Sequence, residues 1–235
     1  MAVSHCGLFA DSRQSRTDRS KPNRKGSCRK MEWQLPIQKM EISNVNIGSP
    51  WPSSMKGKEH ILHKPMAPLS YFSSQFRMPF LSIIFPPLPI KEYSETSGRF
   101  VLDLFETKLA CIKLNTFQDT LINAIIYNQM SWFKSEFSKE DVKNGFQQMI
   151  QESSLILHCP YTEPQTTGKQ TYKNVPLFKN GAWIPFSPNE LKVGTRIRVA
   201  VKIHGISFLN RNENTEWSGK CRLQHRIVGI IIQNE

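Results

Sequence analysis

The sequence contains no long apolar run. Its most apolar window, 78–90, is interrupted by Pro86, Pro87 and Pro89, whereas a helix that spans a membrane needs roughly 20 apolar residues. We therefore expect no transmembrane segment. The five cysteines are an odd, widely spaced set, and no signal peptide precedes them. This usage predicts reduced thiols in an intracellular protein that is not secreted.

Motifs that bind phosphate or activate a nucleophile are also missing. The sequence has no phosphate-binding loop, no dinucleotide fingerprint, no Gly-x-Ser-x-Gly and no His-Glu-x-x-His, each of which has a defined chemical role. Neither the Cys-x-x-Cys spacing nor the His-x3–5-His spacing of a zinc site occurs. We therefore expect a protein that is not an enzyme and that holds no metal and no cofactor.

Acidic residues are few relative to basic ones. The chain has 19 Asp and Glu against 31 Lys and Arg, which gives a formal net charge of +12. The excess is concentrated in two segments, because residues 1–30 hold eight basic and two acidic residues and residues 166–235 hold eleven and four. Such an excess favours a polyanionic partner, either nucleic acid or another anionic surface.

The first 95 residues show little pattern that predicts packing, and the exception is 80–85, which is interpreted either as a strand or as a partner-binding peptide. Residues 1–30 are polar and basic, and residues 31–95 contain nine of the 15 prolines. Dense proline removes backbone donors and blocks helices, so we expect a disordered basic tail followed by an extended, Pro-rich linker. Arg24-Lys25 and Arg29-Lys30 are interpreted either as a weak nuclear import signal or as part of a flexible arm that attracts polyanions unspecifically.

Residues 96–235 carry the patterns of an α+β domain. Thr116 and Ser138 each precede apolar residues at helical spacing, which predicts two helices. Short apolar runs separated by turn residues follow in 166–235, which predicts strands without intervening helices. This order predicts a small OB-like β-barrel of five strands, preceded by two helices that cap it.

Two of the expected strands concentrate basic residues on one face. Side chains alternate between the faces of a strand, so apolar and basic residues separate along 195–204 and again along 221–232. The basic set is Arg196, Arg198, Lys202, Arg222 and Arg226. Phosphate groups would neutralise this set, and Phe208 or Trp217 would stack on bases. The alternative is an ordinary solvated face, because a sheet with one wet side needs polar residues there.

The order of short motifs between 132 and 233 resembles a known family. The matching residues are Trp132-Phe133, Ser138-x-x-Asp141-Val142 leading to Phe146, Leu155-Ile-Leu157, Leu191-x-x-Gly194-Thr195-Arg-Ile-Arg198, Gly205-Ile-Ser-Phe208, Gly219-Lys220 and Leu223-Gln-x-Arg226-Ile-Val228. They are similar to the single-stranded-DNA-binding OB-fold proteins of large nucleocytoplasmic DNA viruses and related mobile elements. The resemblance covers less than half of the chain. It implies a small β-barrel that holds single-stranded DNA by backbone charge and base stacking.

The combined prediction is a non-enzymatic protein that binds single-stranded nucleic acid, in the first place DNA, through the basic sheet face of 166–235. A different class of function is left open by the same residues. In that alternative the domain is an intracellular protein-interaction module with no nucleic-acid role, and its basic face meets an acidic protein partner or remains solvated.

Overall fold

The fold is built around a long antiparallel strand pair, 196–210 with 217–232, which we call the hairpin. It is seen in a computed structural model that describes residues 34–50, 65–94, 98–158, 161–162, 171–172, 175–186, 191–210 and 216–232. In chain order the described strands are β1 (Leu35–Pro36), β2 (Val45–Ile47), β3 (Met66–Phe72), β4 (Arg77–Met78), β5 (Leu81–Ile84), β6 (Leu88–Ser94), β7 (Arg99–Asp103), β8 (Phe146–Gln147), β9 (Ile150–Gln151), β10 (Ser154–His158), β11 (Tyr161–Thr162), β12 (Thr171–Tyr172), β13 (Pro176–Lys179), β14 (Ala182–Pro185), β15 (Arg196–Asn210) and β16 (Trp217–Ile232).

Fourteen of these strands form one mixed sheet that does not close on itself. β15 and β16 pair antiparallel over almost their whole length. The other edge of β15 pairs with β6, β5 and β3 in succession. The other edge of β16 pairs with β8 near its start and with β13 near its end, both parallel. The remaining two strands, β11 and β12, pair with each other.

Two α-helices accompany the sheet in the described ranges. Helix α1 spans Lys108–Phe133 and helix α2 spans Lys139–Gly145. Thr116 lies inside α1 rather than before it, and the helix begins two turns earlier because Thr107 is its N-cap residue. Ser138 is confirmed as the N-cap of α2, since its Oγ accepts a hydrogen bond from the backbone N–H of Asp141 at 3.1 Å. Two short 3-10 turns, Ile37–Lys39 and Ile42–Asn44, complete the helical elements of these ranges.

The core lies between the inner face of the hairpin and helix α1. The inward residues of β15 and the apolar stripe of α1 are all fully buried: Ile197, Val199, Val201 and Ile203 from the strand, and Phe117, Leu121 and Ile125 from the helix. Burial of each such side chain contributes about 1.5–3 kcal/mol. The buried Gln118 carbonyl oxygen accepts hydrogen bonds from the backbone N–H groups of Met149 and Ile150, at 2.7 and 3.3 Å. These bonds fix β9 against α1.

The fold prediction is wrong. The sheet is a large, open, mixed sheet rather than a small OB-like barrel, and the two helices do not cap a barrel. The expected linker at 31–95 supplies the strands that cover the second edge of β15, so the β-structure does not begin at 166. The boundary expected at 96 lies outside the described residues, but β6 on one side of it pairs antiparallel with β7 on the other.

The linker prediction failed because several prolines occupy strand positions that tolerate them. Pro68 in β3 is paired with Gly205, while its neighbours Ala67 and Leu69 are buried on the inner face. Pro89 in β6 is paired with Arg196. Proline fits an extended backbone wherever the ladder does not use its missing N–H group. Dense proline is therefore compatible with short, interrupted strands.

Two further expectations concern the import signal and transmembrane segments. The basic tail, 1–30, lies outside the described residues, so the import signal there stays a prediction. Among the helices that the structure does describe, none has both the length and the apolar character required to cross a bilayer.

Candidate nucleic-acid interface

Four of the basic residues share one face of the hairpin. Lys202 on β15 lies directly opposite Arg226 on β16, and Arg198 lies opposite Ile231. Opposite residues in an antiparallel pair point to the same side of the sheet. Arg222 is four residues from Arg226 on the same strand, so its side chain also projects from that side. We call the surface formed by Arg198, Lys202, Arg222 and Arg226 the basic face.

Two β-bulges keep this arrangement in register. The pairing skips Val228 on β16 and, further along the hairpin, His204 on β15. Each bulge shifts the pairing by one residue, and the second reverses the first because the two lie on opposite strands. Without the first shift, the partner of Lys202 would be Ile227, which is a buried core residue. The bulges therefore allow two long strands to keep one apolar and one basic side.

The three arginines of the basic face have no acidic partner in the part of the chain that the structure describes. Their side chains are exposed, and no carboxylate of a described residue lies within 4.0 Å of the guanidinium of Arg198, Arg222 or Arg226. Arg196, the fifth residue of the predicted set, differs from them. Its Nη1 forms an ion pair with Glu106 Oε2 at 2.9 Å, so we leave it out of the basic face.

The predicted stacking residues are not on this surface, and that prediction is corrected. Phe208 is 0% and Trp217 1% exposed. The two rings pack at a centroid distance of 5.6 Å, and Phe133 contacts both of them at 4.7 and 5.0 Å. The Trp217 indole N–H donates to the carbonyl oxygen of Lys220 at 2.9 Å. Both rings belong to the core and cannot stack on a base while the protein stays folded.

A different tryptophan lies beside the basic face. Trp183 on β14 is 49% exposed and contacts Phe178 on β13 with a ring-centroid distance of 5.1 Å. Phe178 is opposite both Trp183 and Ile231, and Ile231 is opposite Arg198. These four side chains therefore form one row across the sheet. The row has an indole at one end and a guanidinium at the other.

A tight turn between β13 and β14 sets the position of Trp183. Asn180 and Gly181 both have positive φ, as a tight hairpin between β13 and β14 requires. This hairpin could be predicted from Lys179-Asn-Gly181, and it puts Phe178 opposite Trp183. The parallel pairing of β13 with β16 left no comparable local signal. The sequence therefore did not indicate that Trp183 would stand in the same row as Arg198.

A second exposed aromatic side chain contacts the middle of the basic face. The Phe80 ring is 40% exposed, and the ammonium group of Lys202 lies 4.4 Å from its centroid. A cation over an aromatic ring is held electrostatically, which fixes the long lysine side chain against the sheet. The hairpin thus presents aromatic rings close to its cations. Arg198 is separated from Lys202 by about 13 Å of strand, and Arg226 from Arg222 by a similar length, at roughly 3.3 Å per residue.

The described residues of this surface offer cations and aromatic rings rather than reactive groups. Cys221 is next to Arg222 in sequence but lies on the buried side of β16, opposite Phe208, and burial raises the pKa of its thiol to about 12, so the thiol stays protonated at neutral pH. Nowhere in the described ranges do three or more His, Cys, Asp or Glu side chains come together as metal ligands. The chemistry available at the face is the binding of anions and of flat aromatic groups.

Comparison with known proteins adds no assignment. No protein-family model, no curated protein and no solved structure matches this chain. The resemblance to viral single-stranded-DNA-binding proteins therefore stays a hypothesis. Any function has to be inferred from the residues of the basic face.

Proposed function

We propose that the basic face binds single-stranded nucleic acid without catalysing a reaction, with DNA as the first ligand to test. The observation that carries the proposal is the set of three exposed arginines, Arg198, Arg222 and Arg226, which have no acidic partner among the described residues. The first of them, Arg198, stands in the same row of the sheet as the half-exposed Trp183. Phosphates would contact the cations, and bases would stack on the indole.

The charge arrangement supports an anionic ligand. Lys202 and Arg226 are directly opposite each other, so two positive side chains project from neighbouring positions on the same side of the sheet. A phosphate lying across the pair would contact both cations and release condensed counterions. Arg198 and Arg222 lie on either side of the pair along the hairpin, so the cations follow a line rather than a point. A linear polyanion fits this line better than a small anion does.

The exposed indole favours a single strand over a duplex. Base stacking on an aromatic side chain contributes about 1–3 kcal/mol per base and tolerates any sequence. Bases of a duplex are already stacked on each other and do not present their faces. Trp183 therefore adds affinity only when the bases are unpaired.

The test is a titration of labelled oligo-dT and of a matched duplex with the full chain, over a series of salt concentrations. The full chain is required because strands from 66–94 pair with β15. We expect the single strand to bind more tightly than the duplex. Four phosphate contacts predict a log–log salt slope of about −3 for the single strand. Equal, weak binding of oligo-dT and of the duplex would show that the basic face attracts polyanions only by unspecific charge.

Charge-reversal variants locate the binding surface. Arg198→Glu with Arg226→Glu should abolish tight binding and leave the circular dichroism spectrum unchanged, because both side chains are exposed. The matched control is Lys108→Glu with Lys143→Glu, which changes the net charge equally at exposed helix positions and keeps the basic segment 1–30. Equal loss in both double variants contradicts the proposal. No binding by the unaltered chain near physiological salt also contradicts it and favours the protein-interaction module.

A further inference from the structure

A groove opens beside the basic face, along an edge of β16. β8 pairs with this edge at Cys221 and Arg222, and β13 pairs with it again only at Ile230 and Ile231. Between these points no described strand pairs with the edge. The groove has a volume of about 290 Å³, slightly below the range of roughly 300–1,000 Å³ that is usual for drug-sized ligands. It is large enough for one flat ring system.

Three glutamine side chains line the groove and make no hydrogen bond with any residue that the structure describes. They are Gln147, Gln148 and Gln224. The two buried glutamines of α1 differ, because Gln118 and Gln129 both bond to backbone groups of the loops and strands that follow α1. Those two amides are structural. The three amides of the groove retain both a donor and an acceptor for a ligand.

A fixed imidazole forms another wall. The backbone N–H of His158 donates to His225 Nε2 at 3.2 Å, and His225 Nδ1 lies 3.4 Å from the carbonyl oxygen of Leu223. The Nδ1 atom therefore carries the proton. Burial is the main cause that lowers the pKa of His225 to about 4, so this ring is neutral at pH 7. Arg222, which also belongs to the basic face, supplies a permanent positive charge at the groove.

We propose that the groove is a subsite for one adenine nucleotide of the bound strand, with Arg222 on its phosphate and the glutamine amides on its base edge. A side-chain amide presents one donor and one acceptor. An unpaired adenine offers the complementary acceptor and donor on two edges, at N7 with N6 and at N1 with N6, whereas the N7 and O6 atoms of guanine are both acceptors. The inference rests on the proposed function, because it extends the path of the strand from Arg226 past Arg222.

The experiment compares four labelled single strands, an oligo-dT and the same strand with one central dA, dG or dC. We expect the full chain to bind the strand with dA at least about fivefold more tightly than the others. This ratio corresponds to the weakest discrimination between bases that a bidentate contact usually gives. Gln148→Leu with Gln224→Leu should remove this preference and leave the affinity for oligo-dT unchanged. The matched control is Gln75→Leu with Gln151→Leu, at two exposed positions outside the groove lining, and it should retain the preference.

The outcomes separate this inference from the proposed function. Equal affinity of the unaltered chain for all four strands overturns the adenine subsite and leaves strand binding intact. No affinity for any strand overturns the proposed function itself. A groove double variant that loses affinity for all four strands equally shows that the glutamines do not read the base, which also overturns the subsite. If that variant does not fold, Gln224→Met provides the same test, because it keeps the side-chain length and removes the amide without adding a charge beside Arg222.

Discussion

Two tryptophans of this chain should respond to mutation in opposite ways. Trp217 is buried among Phe133, Phe137 and Phe208, with ring-centroid distances of 5.0, 5.0 and 5.6 Å, and its indole N–H donates to a backbone carbonyl. Trp183 is half-exposed beside the basic face. Alanine at each position distinguishes a core residue from a binding residue.

The magnitudes follow from burial. Trp217→Ala leaves a cavity in the aromatic cluster and should lower the free energy of unfolding by about 3–5 kcal/mol, a large part of the total of about 5–15 kcal/mol for a typical domain. Trp183→Ala removes mainly the contact with Phe178 at 5.1 Å, for which about 1 kcal/mol is expected. The same change should weaken single-strand binding by about 1–3 kcal/mol.

Urea unfolding followed by circular dichroism measures the first effect, and titration with oligo-dT measures the second. Trp217→Phe is a milder variant that should stay folded and retain strand affinity, whereas Trp183→Phe should keep part of the stacking. A Trp217→Ala protein with unchanged stability would refute the assignment of this ring to the core. A Trp183→Ala protein with undiminished affinity would refute stacking on the exposed indole.

Three further predictions test other features. Gly205→Ala would bring its Cβ into collision with the carbonyl oxygen of Ala67 in β3, so we expect urea unfolding to show a loss of about 1–3 kcal/mol, and no loss would contradict the β3–β15 contact. Burial lowers the pKa of His225 from 6.5 to about 4. As the pH falls from 6.5 to 4, this imidazole therefore takes up a proton in the unfolded state but not in the folded state. The free energy of unfolding should therefore decrease by up to about 3 kcal/mol between pH 7 and 4. His225→Gln should flatten this dependence, and an equal slope in both proteins would contradict it. Ser138→Ala removes the cap on the Asp141 N–H and should cost about 1 kcal/mol, measurable as a lower Tm, while an unchanged Tm would show that the cap contributes nothing.

The alternation of side chains in the hairpin was predictable because it is a local property. The buried residues Ile197, Val199 and Val201 alternate with Arg198 and the other outward positions, as the strand period requires. No information about partners is needed to read this pattern. The separation of apolar and basic faces on β15 and β16 could therefore be predicted without the rest of the sheet.

The partners of β15 were not predictable because pairing depends on distant segments. β5 is only four residues long and ends at Ile84. Two consecutive prolines begin two residues later, at Pro86. The run 80–85 could be interpreted as a strand or as a partner-binding peptide, but nothing in it indicated β15 as its partner. It becomes a strand because β15 offers a long edge and because Leu81 and Ile83 reach the core. Tertiary context thus outweighs the local effect of proline.

The assignment of aromatic residues failed for a related reason. Phe208 and Trp217 lie close in sequence to the basic residues, but their positions near the end of β15 and at the start of β16 bring them against Phe133 at the end of α1. Trp183 lies on a separate hairpin and reaches the basic face only through the parallel pairing of β13 with β16. Proximity along the chain was a poor guide to proximity on the sheet.

The hairpin joins the stability of the fold to the candidate function. Each long strand has a side that packs in the core and a side that carries the basic face. A shift of the strand pairing by one residue would therefore turn the apolar side chains outward and the basic ones inward. The paired bulges at His204 and Val228 prevent that conflict locally. A nucleic-acid strand bound across Arg198, Lys202, Arg222 and Arg226 would contact both strands of the hairpin at once. Its binding would therefore favour the native register, and the folded state would gain stability in proportion to the logarithm of ligand concentration over the dissociation constant.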